Sequence, residues 1–85
     1  MNISKHEQRV LHDLALGGAI HHERCENGKI GSITCYTREG HVLSDCTFGV
    51  FQRLRKRRFI QSRGGQPYRA SRLGIKAVRA PLHQR

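Results

Sequence analysis

The sequence has no acidic residue after Asp45, no tryptophan and only two prolines. Its longest apolar runs are a few residues, far short of the roughly 20 that a membrane-crossing helix needs. No basic-then-apolar segment near Met1 resembles a signal peptide, so the expectation is a cytoplasmic protein. The cysteines Cys25, Cys35 and Cys46 cannot all pair within one chain, and none sits in a Cys-x-x-Cys spacing. That pattern argues for reduced thiols and against a disulfide scaffold. His21, His22 and His41 lack the tight spacing of a structural zinc site, and neighbours such as His21 and His22 point to opposite faces of a strand. Neither metal nor cofactor is expected. Cys46 and His41 could be paired as nucleophile and base, but no third, orienting group accompanies them, so the chain is not expected to be an enzyme.

What is present is positive charge. The 85 residues carry a formal charge of +10, and positions 46–85 hold eleven Lys or Arg with no carboxylate. Such a field attracts nucleic acid, acidic protein or anionic lipid. With 36% apolar residues, a chain this short buries one modest core, which predicts a single domain over residues 1–85.

"SKHEQRVLHDLALGG" reads as a capped helix: Ser4 and Glu7 fit the Ser-x-x-Glu box, Val10, Leu11, Leu14 and Ala15 recur at helical spacing, and Gly17-Gly18 stops it. Asn27-Gly28 then predicts a hairpin with a two-residue turn. That register sets Ile20 opposite Cys35, His22 opposite Ile33, Arg24 opposite Gly31 and Glu26 opposite Lys29. Ile20, Ile33 and Cys35 form its core face, and Cys25 faces Ile30 on the other side. A second helix is expected after Ser44 or Asp45 as N-cap, with Phe48, Phe51 and Leu54 inward and Gln52, Arg53, Lys56 and Arg57 on an exposed, uncompensated basic face. Arg55 is expected to project beside Phe48. If Arg53 and Arg57 point outward in this way, both can be exchanged for Glu without harming the fold.

Gly64-Gly65 predicts a second hairpin with Phe59, Ile60 and Tyr68 as its apolar content, and Pro67 places it at an edge. A third helix from Ser71 to Ala80 would turn Leu73, Ala77 and Val78 inward and Arg72, Lys76 and Arg79 outward, with Pro81 ending it. The expected class is therefore α+β, a small winged-helix-like domain of three helices and two β-hairpins. The candidate contacts to an anionic partner are Arg53, Lys56, Arg57, Arg58, Arg63, Arg69, Arg72, Lys76 and Arg79. Between residues 53 and 69 the cations are six Arg and one Lys, which suits bidentate pairing with carboxylate or phosphate.

The stretches "NISKHEQRVLH", Gly17-Gly18 with Ile20 and His22, "CYTREG" at 35–40, "DCT" at 45–47, Val50-Phe51, Leu54, Ile60, Ser62, "PYR" at 67–69 and "VRA" at 78–80 together resemble the YjhX toxin family of small bacterial proteins. The resemblance implies a toxin of a toxin–antitoxin pair that inhibits DNA topoisomerase I by binding it, with an acetyltransferase-like protein as antitoxin. The residue pattern alone keeps a second expectation open: a winged-helix DNA-binding protein or autoregulator that binds duplex DNA with the helix from Thr47 and the wing at Gly64-Gly65.

Overall fold

The structure, a computed structural model, describes residues 4–79, with the side chain of Arg79 outside that description. Seven elements follow in order: α1 (Lys5–Ala15), β1 (Ala19–Arg24), β2 (Ile30–Tyr36), α2 (Phe48–Lys56), β3 (Ile60–Gln61), β4 (Arg69–Ala70) and α3 (Arg72–Arg79). The class is α+β, three helices with two antiparallel hairpins, as the pattern predicts.

Helix α1 begins with the reciprocal capping box expected of Ser4 and Glu7: the Glu7 N–H donates to Ser4 Oγ at 3.1 Å, and the Ser4 N–H donates to Glu7 Oε1 at 3.0 Å. Val10, Leu11 and Leu14 fill the core from one stripe. The helix ends in a Schellman motif, in which Gly17 donates to Leu14 O at 3.1 Å and Gly18 to Asp13 O at 3.0 Å. Gly17 takes φ +119° there, a region open to glycine and costly for residues with a Cβ.

The first hairpin departs from expectation at its tip. Gly28 donates to Cys25 O at 2.9 Å and Cys25 to Lys29 O at 2.7 Å. The turn is thus the three-residue kind, with Glu26 and Asn27 followed by Gly28 at φ +84°, in place of a two-residue turn centred on Asn27-Gly28. This shifts the register by one, so Arg24 pairs with Ile30. A bulge at Gly31 absorbs the extra residue, and the ladder resumes as Glu23–Ser32, His22–Ile33 and Ile20–Cys35. Two departures cancel: the base of the hairpin has the expected partners, while Ile30 turns to the side of Arg24 and packs on the core. A one-residue slip does this because successive strand residues face opposite ways.

Thr47, not Ser44 or Asp45, caps α2: its Oγ1 accepts from the Val50 N–H at 3.2 Å. Asp45 pairs with Arg9 at 3.2 Å. Val50, Phe51 and Leu54 are buried, and Phe48, in the first turn, is left 38% exposed. Burial of Phe51 and Leu54 contributes about 1.5–3 kcal/mol each. At the far end Arg58 donates to Arg55 O at 2.9 Å and Phe59 to Leu54 O at 3.0 Å, a second Schellman motif. Here the left-handed position, φ +63°, belongs to an arginine.

The second hairpin forms around Gly64-Gly65 as expected, with Ile60–Ala70 and Gln61–Arg69 paired. It is not isolated at an edge. Ile20 and Tyr68 exchange backbone hydrogen bonds of 2.9 and 2.8 Å, so β4 lies between β3 and the base of β1. Ser71 caps α3 by accepting from Gly74 N–H at 3.1 Å, while its hydroxyl donates to Arg58 O at 2.7 Å. The inward face of α3 is Gly74 and Val78 with Ile75 and Ala77 partly covered; Leu73, expected inside, is 51% exposed. Gly74 lies against the Phe59 carbonyl, where a side chain would collide with backbone, and this close approach sets the rotation of α3. The expected helix end at Ala80 and Pro81 lies outside the described residues.

Candidate functional site

The basic face expected along α2 is real but is not uncompensated. Arg53 Nε donates to Glu7 Oε2, and Arg57 Nη1 lies 3.8 Å from Glu7 Oε1. Glu7 is only 2% exposed, whereas the Arg53 and Arg57 side chains are 55% and 30% exposed. Burial pushes the Glu7 carboxyl up, but the Ser4 N–H, the Arg53 hydrogen bond and the charges of both arginines outweigh it and hold the group below its ordinary value. The cap of α1 therefore also fastens α2. Arg53 and Arg57 cannot be exchanged for Glu without placing a second carboxylate beside a buried one, which corrects the expectation from helical spacing.

The other candidates are distributed over several faces. Lys56 lines a shallow groove of about 500 Å³ with Gly49, Gln52, Arg53 and Arg55. Arg58 and Arg63 are exposed, at the end of α2 and near the tip of the second hairpin. Arg69 is exposed and its Nη1 is 3.5 Å from Gly17 O at the end of α1. Arg72 and Lys76 are exposed on α3, and the side chain of Arg79 lies outside the description. Among the described residues, the groove beside Lys56 takes nothing from α3 or the second hairpin.

A second groove, of about 400 Å³, adjoins the first through Gln52 and Arg55. Arg24, Gly28, Lys29 and Ile30 of the first hairpin form one wall and Phe48, Gln52 and Arg55 of α2 the other. Arg24 Nη1 donates to Gly28 O at 2.7 Å, which fixes its guanidinium across the turn. Arg55 lies over Phe51 and Tyr68, with Cζ 5.7 and 6.0 Å from the ring centroids; such cation–π contacts hold a charge in place without neutralising it. The rings of Phe48, Phe51, Tyr68 and His22 run inward from this groove with centroid spacings of 5.8, 5.1 and 5.1 Å.

Arg24, Lys29, Arg55 and the exposed ring of Phe48 were not in the expected set. Arg24 and Lys29 flank the Asn27-Gly28 turn, so any closed hairpin brings them to one tip, and that signal was present in the sequence. That the tip lies along α2 is a long-range arrangement and carries no local signature.

Cys35 is buried and Cys46 half-buried, and their thiols are hydrogen-bonded. The bond to Cys46, then burial, pushes the Cys35 thiol up, while accepting from Cys35 draws Cys46 below its ordinary value against its own burial. Cys25 is exposed. No three His, Cys, Asp or Glu side chains converge as a metal site among the described residues, and no helix among them is long and apolar enough to cross a membrane.

The molecule is thus a small α+β protein that presents positioned cations and one exposed aromatic ring on an α+β scaffold. It belongs to the YjhX toxin family, whose model, described as "Putative toxin of bacterial toxin-antitoxin pair", matches residues 1–85. Relatives called UPF0386 protein include those of Brucella anthropi, 60% identical, and Parvibaculum lavamentivorans, 59% identical, each over the whole of both chains. That of Rhodospirillum rubrum is 62% identical over 93% of this chain and 88% of its own. No solved structure matches the chain.

Proposed function

We propose that the protein is a toxin that works by non-covalent binding, that its target is DNA topoisomerase I, and that a cognate antitoxin, acetyltransferase-like by family resemblance, masks the same surface. Family membership supports the toxin role. The observation that carries the binding mode is the exposed array on α2 and the first hairpin: Arg24, Lys29, Gln52, Arg55 and Lys56 line adjoining grooves. Side chains of these types offer donors and fixed charge, and none is a ready nucleophile or proton shuttle at neutral pH. The contact is electrostatic, so it weakens with salt. Purified protein is expected to slow relaxation of supercoiled plasmid by topoisomerase I and to co-elute with the enzyme. Unchanged relaxation at saturating protein, with no complex, refutes the proposal.

A second reading is favoured by one observation, the Ile20–Tyr68 bridge that joins the second hairpin to β1. It gives Arg63 and Arg69 the support a wing needs in a winged-helix DNA binder with α2 as reader. This reading expects duplex binding without any protein partner and a log-log salt slope of about −0.9 per phosphate contact. A duplex titration that stays flat at low salt eliminates it.

A further inference from the structure

We propose that the groove between the first hairpin tip and α2 is a binding site for a single-stranded polynucleotide, in which Arg24, Lys29 and Arg55 engage backbone phosphates and the Phe48 ring stacks on a base. The three cations lie on two walls of one groove of about 400 Å³ with Phe48 and Gln52. Phosphate recognition needs fixed positive charge, and two of the three are already positioned: Arg24 by the Gly28 carbonyl and Arg55 by the rings beneath it. A half-exposed phenylalanine costs apolar surface in water, and here its inner edge rests on Phe51 while its outer part opens to the groove. Cations tracking a backbone beside an aromatic platform are the means by which unpaired strands are held without sequence preference.

The same geometry disfavours a duplex at this site. A helix reads double-stranded DNA by entering a major groove about 12 Å wide. The hairpin tip flanks the N-terminal half of α2, so Phe48 and Gln52, though exposed, line a concave groove and do not stand out as a convex helix face. An acidic protein surface matches the charge but leaves the ring without a stacking partner.

The test is fluorescence anisotropy of the full-length chain with labelled oligothymidylate and oligouridylate of about twelve residues, alongside a duplex of equal length and a polyglutamate peptide. One or both single strands should bind at low salt, with a log-log salt slope near −2 from about three contacts at −0.7 each. The two strands distinguish DNA from RNA as the source of the phosphodiester. Phe48→Ala should weaken binding about ten-fold, and Arg55→Ala should reduce the slope by close to one contact. Lys5→Ala on α1 removes one exposed charge outside the groove and serves as the control. Circular dichroism confirms that each variant remains folded, and Phe48→Tyr, which keeps the ring, should restore binding if Phe48→Ala does not fold. Absence of single-strand binding, equal or tighter binding of the duplex or polyglutamate, or an equal loss from Lys5→Ala overturns the proposal. Because plasmid relaxation is read separately, failure here leaves the topoisomerase proposal standing, and the converse.

Discussion

Replacing either side of the Glu7–Arg53 pair should give unequal costs, and the direction follows from burial. In Arg53→Ala the carboxylate of Glu7, 2% exposed, keeps the Ser4 N–H and the more distant Arg57 but loses its closest cation. A hydrogen bond to a charged group contributes about 1.5–3 kcal/mol, and the buried acceptor cannot be rehydrated in its place, so the loss should be about 2–3 kcal/mol. In Glu7→Gln the amide oxygen can still accept from Ser4, and Arg53, whose side chain is 55% exposed, turns to water. That change should cost about 1–2 kcal/mol, because a partly exposed cation left unpaired pays little desolvation. The double variant should cost less than the sum of the two. The carboxyl of Glu7 is lowered in the folded state from 4.5, so its contribution is complete above that value and is lost as pH falls through the folded value. Urea denaturation by circular dichroism from pH 3 to 7 should show this acid-side loss in the parent and a shallower one in Glu7→Gln. Were Glu7→Gln the costlier change, or its acid slope the same as the parent's, the account of Glu7 as a buried, doubly paired carboxylate would be wrong.

Three further outcomes are expected. Arg58→Gly should stabilise the fold by about 0.5–1 kcal/mol, since it relieves a left-handed residue with a Cβ in a Schellman motif; a lower melting temperature would refute this. Gly74→Ala should destabilise by about 2 kcal/mol, as a Cβ pressed on the Phe59 carbonyl must displace backbone, and the melting temperature should fall by roughly 10 °C. Alkylation by iodoacetamide at pH 7.5, followed by mass spectrometry, should label exposed Cys25 first, then Cys46 and last Cys35, because thiolate population and access decide the rate; labelling of Cys35 before Cys46 would contradict their hydrogen-bonding direction.

The sequence made helix α1, both hairpins and the core stripe of Leu11, Ile20, Phe51 and Leu54 legible, because each rests on a local period or a turn residue. It misled where the answer depended on an offset of a few residues. Thr47, not Asp45, caps α2, so Phe48 falls in its first turn and stays exposed while Val50 is buried, and Gly74 lies against Phe59 with Leu73 outside. The site was legible as a basic surface and not as a shape. Charge counting cannot see that Glu7, 46 residues away from Arg53, reaches across to the helix face that spacing marks as outward.

The bulge at Gly31 has an implication for how this surface could diverge. Excising that single residue would leave Ile20 opposite Cys35, His22 opposite Ile33 and Arg24 opposite Ile30, so the pairing of the core-facing residues would be kept. The hairpin would straighten, and its two tip cations would swing relative to α2. One in-frame codon deletion would therefore re-aim Arg24 and Lys29 against α2 while the strand pairing beneath them is kept.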